Sequence, residues 1–264
     1  MTPPPLPPDF RWTVEPWGIA LVCEPLAVVA PHLFTTRALT LRVGAGAGST
    51  EEEGWGALAE SMGVTEPHLL RLRQVHGREV VTVRRGGPVP PVSPAPEADA
   101  FASDDPQCAL AVRGADCVPL LIADRRTGAV AAAHAGWRGT MAGTAVAALN
   151  TMREAFGTAP ADVVVALGPS IGPCCYQVGQ SVVEACAAAG HVPAQAQRWF
   201  TRGADLRLDL WTANVDQLVA AGVPDAQVHQ SRLCTACHSE QFFSYRKEGE
   251  GIGRLAGVIR ARER

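Results

Sequence analysis

Lysine is almost missing from this sequence: of 23 basic residues, only Lys247 is not arginine. That imbalance reads as coding bias rather than function. Nor is there an excess of positive charge, since the net charge is −3; a nucleic-acid or membrane-surface partner is not expected. No apolar run reaches the roughly 18 residues of a membrane span. The opening stretch "MTPPPLPPDF" lacks the basic and apolar regions of a signal peptide. It reads as a loose proline-rich arm over residues 1–15, ahead of a single domain over 16–264. The expected compartment is the cytoplasm, with all eight cysteines reduced.

Several motifs are incomplete in informative ways. "GAGAG", Gly44 to Gly48, reads as a flexible turn. It lacks the third glycine of a dinucleotide fingerprint, and no G-K-[ST] follows any glycine cluster. The seven histidines contain no H-x-H pair, which disfavours a multicopper centre. "CTACH", Cys234 to His238, has the spacing of a c-type haem attachment site. Haem is attached in that way outside the cytoplasm, so no haem is expected. A zinc site made of Cys174, Cys175, Cys234 and Cys237 is conceivable, but adjacent cysteines rarely share one zinc comfortably. "GPSIG", Gly168 to Gly172, resembles a nucleophile elbow, with Asp209 and His229 following in the right order. The elbow needs a helix at once, and Pro173 makes that helix poor.

Short apolar runs bounded by turn residues predict strands. They are 19–23, 68–75, 79–83, 108–112, 118–123, 129–133, 163–167, 227–233 and 255–259. Helices are predicted over 140–156, 180–189 and 211–221, each stopped by a glycine. Glu184 and Asn214 on these helices are expected to face solvent. The proline-rich stretch from Arg84 to Ala100 reads as a long surface loop. The result is a mixed α/β chain with no point at which to cut it.

His76, Cys117 and His134 each lie at the end of a strand-like run, where sites are commonly assembled. Two imidazoles and a thiol suit Zn²⁺ with an open fourth position. The same trio would also serve as a core histidine and two inert residues. In "HAGWRGT", Gly136, Arg138 and Gly139 lead to Thr140 as an N-cap, and Arg138 suits a bidentate anion contact. An ordinary strand–helix connection explains these residues equally well.

Taken together, "FTTR", "RQVHG", "ADAFAS", "GADCVPLLIAD", "AAAHAGWRGT", "GPSIGPCCYQVG", "CTACHSEQFFSYRKEG" and "GIGR" resemble one family, in order from about Phe34 to Arg260. It is the YfiH-like family, long labelled polyphenol oxidase or laccase-domain. The resemblance implies a single-domain mixed-sheet α/β sandwich with flanking helices, similar to a toxin deamidase. It implies a purine nucleoside phosphorylase that also deaminates adenosine, with purine nucleosides and phosphate as substrates. His76, Cys117 and His134 then become zinc ligands and catalytic residues, with copper less expected. Arg37, Gln74, Arg138 and Arg246 become the candidates for holding substrate. Cys237 and His238 fall at variable positions of the family pattern, so C-x-x-C-H reads as coincidence there. The family's S-L-N-L-G stretch and its later N-R pair have no counterpart after Arg37. A Cys–His hydrolase acting on peptidoglycan precursors, with Cys117 as nucleophile, is the alternative enzyme. Protein partners are not legible.

Overall fold

In the strand Val118–Asp124 every residue is buried. Alternate side chains of a strand point to opposite faces, so such a run must be covered on both sides. Val118, Leu120 and Ile122 enter one core, and Leu121 and Ala123 enter another. The partner strand Val130–Ala135 does the same, with Ala131 and Ala133 on one side and Val130 and Ala132 on the other. The computed structural model describes residues 3–41 and 50–263, and this antiparallel pair lies at its centre.

The pair belongs to a six-stranded mixed sheet ordered Val228–Gln230, Val163–Leu167, Val118–Asp124, Val130–Ala135, Ala100–Ser103, Val80–Val83. A second six-stranded sheet runs Phe10–Glu15, Gly18–Cys23, His32–Thr35, Leu255–Arg260, Ala109–Gly114, Leu69–Leu70. The two sheets meet through Leu21, Phe34, Leu110 and Ile259 on one side and Phe101, Leu121 and Val164 on the other. Helix Thr144–Phe156 covers the outer face of the first sheet through Ala145, Ala148, Leu149 and Met152. Alanines in Val130–Ala135 leave room for that close approach. Trp55, Leu58 and Ala59 of helix Thr50–Ser61 cover the outer face of the second sheet. The expected α/β sandwich with flanking helices is therefore the observed fold.

Where the structure differs from expectation, a specific force wins. Phe10–Glu15 falls within the expected loose arm, yet it pairs residue for residue with Gly18–Cys23, from Phe10↔Cys23 to Glu15↔Gly18. No proline lies between Pro8 and Pro16, so none interrupts the ladder. Helix Thr50–Ser61 carries two glycines, each costing about 1 kcal/mol against alanine; its packing on the sheet overrides that weak propensity. The expected helix 140–156 is two helices, Trp137–Ala142 and Thr144–Phe156, parted at Gly143 with φ 76°. Of the expected strand 68–75 only Leu69–Leu70 forms a strand, and beyond it Arg73 makes a single parallel bridge to Glu97. Asn214 is buried rather than solvent-facing, and donates to Thr140 Oγ1 at 3.0 Å and to the Leu210 carbonyl at 2.8 Å. The turn expected at Gly44–Gly48 lies outside the described residues.

Gly168 ends the strand Val163–Leu167 where the two sheets touch. A Cβ there would run into the Phe34 ring and sit 2.9 Å from Pro119 Cγ. Gly168→Ala is therefore expected to destabilise the fold by about 1–3 kcal/mol, an ordinary overpacking cost. Urea unfolding checks this; an unchanged midpoint would mean that Phe34 has space to retreat.

Candidate functional site

The central strand pair sets two of the candidate side chains beside each other. Pro119 pairs with His134 and Val118 with Ala135, so Cys117, one residue before Val118, arrives next to His134. His76 comes from the irregular segment after Leu69–Leu70. Asp99 brings it in. This carboxylate, at the start of Ala100–Ser103 and fully buried, accepts the backbone N–H groups of Val75, His76 and Gly77 at 3.2, 3.0 and 2.6 Å. It also bonds His134 Nδ1 at 2.9 Å. His76 has φ 61°, a left-handed conformation that costs a non-glycine residue energy; the bonds to Asp99 hold it there.

The donor atoms of His76, Cys117 and His134 lie within 4.8 Å of one another. The two imidazole rings meet edge to face with centroids 5.0 Å apart. Gly136 leaves room for this: a Cβ there would stand 2.7 Å from Cys117 Sγ and 3.3 Å from His76 Cδ2. Gly136, not Thr140, is the N-cap of helix Trp137–Ala142. Burial works against a charged Cys117 thiol, but the charge and hydrogen bonds of His134, with those of His76, outweigh it and draw the thiol down to about 6. Burial likewise opposes charge on His134, and Cys117 and Asp99 overcome it and push that imidazole up. Asp99 is held below the usual carboxylate range: its hydrogen bonds to His134 and Gly77 prevail over burial.

The trio opens onto a cleft of about 570 Å³. Arg73, Arg113, Arg138, Arg246 and Arg254 line it, against the single acid Asp116. The chain's two tyrosines, Tyr176 and Tyr245, also line it, with Trp137. Burial is the main cause that pushes the Tyr176 hydroxyl up to about 12. Arg138 stacks on Trp137 at 4.3 Å, and Arg246 lies 5.1 Å from the Tyr176 ring centre while donating to the Gln177 carbonyl.

The other candidates fall differently. Gln74 lines the cleft, but its amide is engaged at both ends: it donates to the Arg113 carbonyl at 2.7 Å and accepts the Arg113 N–H at 2.8 Å. Arg37 is not brought to the cleft lining. It pairs with Glu248 at 2.6 Å and lies over Phe243 at 4.4 Å. Ser170 of the elbow-like motif is buried and accepts Trp211 Nε1 at 2.7 Å. Asp209 caps helix Leu210–Ala220, and His229 pairs with Asp9.

Sequence reasoning missed two carboxylates. Asp99 stands in "ADAFAS" and Asp116 in "GADC", and only a polar residue bordering a buried strand hinted at either. Asp116 accepts Thr235 Oγ1 and the Arg246 N–H, both at 2.6 Å, and so ties two distant segments to the cleft. The structure also gathers Cys174, Cys175, Cys234 and Cys237, the group that the sequence made conceivable but that the adjacency of Cys174 and Cys175 disfavoured.

The two-sheet α/β sandwich has solved counterparts, and the sequence has relatives. Residues 34–262 match the model of the family described as multi-copper polyphenol oxidoreductase laccase, and the chain belongs to that family. It is similar to a purine nucleoside phosphorylase of Bacteroides thetaiotaomicron, 42% identical over 163 residues, 61% of this chain and 60% of that one. The match thus spans less than two thirds of that relative. It is also similar to a purine nucleoside phosphorylase of Deinococcus radiodurans, 34% identical over 253 residues, 92% of this chain and 93% of that one. Among solved structures it resembles YlmD from Geobacillus stearothermophilus, with a TM-score of 0.86 at 30% identity, over 97% of this chain and all of that one.

The depressed Cys117 thiol has a measurable consequence. A thiol is reactive as thiolate, above its pKa, so a lowered pKa keeps it reactive into acid. In metal-stripped protein, the Cys117 alkylation rate is expected to reach its half-maximum well below the ordinary thiol value of about 8.5. His134→Ala should move that midpoint upward. A pH profile of iodoacetamide labelling, read by peptide mass, checks both.

Proposed function

We propose that this chain is a cytoplasmic, zinc-dependent purine nucleoside phosphorylase that also deaminates adenosine. One observation carries the reading: the His76–Cys117–His134 trio opens onto a cleft that combines arginines with aromatic faces. The residues fit the metal. Two imidazoles and a thiol are a zinc donor set, and His134 has the carboxylate partner on its second nitrogen that zinc-bound histidines usually have. His76 is exposed toward the cleft, which leaves the trio open on one side.

His76, Cys117 and His134 hold the ion, Asp99 orients His134, and Gly136 keeps the space clear. Bound there, zinc would supply a Lewis acid that brings the pKa of water near neutrality, so that hydroxide is available as a nucleophile at an aromatic carbon. Arg138 and Arg246 supply fixed positive charge for the phosphate dianion. Trp137, Tyr176 and Tyr245 offer flat apolar faces for a purine. In phosphorolysis an oxygen of hydrogen phosphate bonds to ribose C1′ while the bond from C1′ to the base breaks, its electron pair leaves with the base nitrogen, and the phosphate's proton ends there, giving ribose 1-phosphate and neutral free base. In deamination water replaces the amine at C6 and ammonia leaves.

Copper oxidase chemistry fits these residues less well. A multicopper centre needs many imidazoles, and only His76 and His134 converge among the described residues. His32, His68, His191 and His229 are hydrogen-bonded elsewhere. A Cys–His hydrolase has one observation in its favour: Cys117, His134 and Asp99 follow one another as nucleophile, base and orienting carboxylate. His76 separates the two readings. His76→Ala removes a zinc ligand and is expected to abolish both nucleoside activities, whereas a hydrolase would keep Cys117-dependent hydrolysis.

The central test incubates purified protein with inosine or adenosine and phosphate, and follows ribose 1-phosphate, free base and ammonia alongside metal content. Neither product forming from a zinc-loaded chain would refute the reading. Losing one charge-assisted contact to phosphate costs about 1.5–3 kcal/mol, or one to two decades of rate. Arg138→Ala or Arg246→Ala is therefore expected to weaken phosphorolysis by about 10–100-fold while changing deamination far less. Arg37→Ala, acting from outside the cleft, should affect the two activities alike.

A further inference from the structure

Two pairs of cysteines far apart in sequence meet outside the cleft. Cys174 and Cys175 lie in the turn after strand Val163–Leu167, closed by the N–H groups of Cys175 and Tyr176 donating to the Gly172 carbonyl, both at 3.0 Å. Cys234 and Cys237 lie on the neighbouring segment, joined to it by the parallel bridge Ser170↔Cys234. Cys174 Sγ and Cys175 Sγ are each 3.5 Å from Cys237 Sγ, and all four Sγ atoms lie within 4.8 Å of one another. A tetrahedral zinc with Zn–S of about 2.3 Å has thiolates about 3.8 Å apart along each edge. The observed spacing is that of one ion's coordination shell.

We propose that Cys174, Cys175, Cys234 and Cys237 form a structural zinc–tetrathiolate site that clamps together two walls of the cleft. Binding would form four Zn–S bonds and release the thiol protons to solvent. Local donors suit the resulting negative charge. The Gly172 N–H points at Cys234 Sγ from 3.3 Å, and Arg207 donates to the Cys174 carbonyl.

The clamp acts through its neighbours. Tyr176, beside Cys175, lines the cleft. Thr235, beside Cys234, bonds Asp116, which in turn holds the Arg246 backbone. One ion would fix both segments at their roots. The adjacency of Cys174 and Cys175 is no obstacle, because the tight turn brings both thiols within reach of Cys237.

The test is made in a Cys117→Ser chain, so that zinc in the cleft does not enter the count and the two sites stand or fall separately. That chain is expected to retain one zinc, with an X-ray absorption shell of four sulfurs at about 2.3 Å. Adding Cys237→Ser, or Cys174→Ser if the first variant misfolds, should remove the zinc. It should also speed amide exchange across residues 172–178 and 234–246 by about tenfold or more. His238→Ala should leave the zinc in place. The proposal is overturned by no zinc in the Cys117→Ser chain or by zinc that survives both cysteine variants. Iron instead of zinc, zinc lost from His238→Ala, or an intact mass showing a disulfide among the four would overturn it equally.

Discussion

The site depends on one buried carboxylate. Asp99 is fully enclosed, and a charged carboxylate survives there only with its acceptor positions filled. Three backbone N–H groups and one imidazole fill them. Hydrogen bonds to a charged group are worth about 1.5–3 kcal/mol each. A left-handed non-glycine residue costs about 1–3 kcal/mol. The three N–H bonds thus outweigh the strain at His76 and fix its imidazole against His134. The same carboxylate sets the His134 tautomer, leaving Nε2 for Cys117. One side chain therefore brings together groups from three separate strand ends.

The sandwich makes that possible. Val118–Asp124 and Val130–Ala135 lie between two cores, so neither strand can slip by one residue without exchanging the side chains assigned to each core. Register fixed by packing is register fixed for Cys117 and His134. The helices that follow are tied back to the same point. Thr144 Oγ1 donates to the Gly77 carbonyl at 2.7 Å, and Asn214 reaches Thr140 from helix Leu210–Ala220. Core packing and site geometry are here one constraint.

What could be read from the sequence follows from this. Strands buried on both faces announce themselves as unbroken apolar runs, and Val163–Leu167 coincides with its expected bounds. His134 was legible because it lies at the end of such a run and Cys117 because it borders one, whereas His76 closes an apolar stretch that forms a strand only at Leu69–Leu70. Asp99 was not, since a single aspartate beside a strand has no periodic signature. Phe10–Glu15 was obscured by the prolines before it, and Thr50–Ser61 by its glycines; both take their structure from tertiary contacts. Arg37 looked like a substrate contact because of its motif, but Glu248, more than two hundred residues later, takes its charge. The four thiols were set apart by a local argument about adjacent cysteines, while their meeting is decided by the parallel bridge Ser170↔Cys234.

The cleft thus joins two kinds of construction. Its floor, the trio with Asp99, is anchored to strand ends and shares the rigidity of the cores. Of its walls, Tyr176 lies in a turn and Arg246 on the short helix Tyr245–Glu248, and side chains rather than strand ladders tie these two to the floor. Asp116 joins Thr235 to Arg246, and Arg246 reaches Gln177 beside Tyr176. Asp116 itself has φ 91°, so the residue before Cys117 is held in an unfavourable backbone conformation while its carboxylate grips the wall. Floor and wall meet at adjacent residues of one turn. A shift of the Arg246 segment would pull on Asp116 and be felt at Cys117 through a single peptide unit, whereas the Val75–Gly77 turn, bonded to Asp99, would not feel it directly. The Tyr176 and Arg246 part of the wall is thus coupled to the trio through Asp116, the residue beside its thiol.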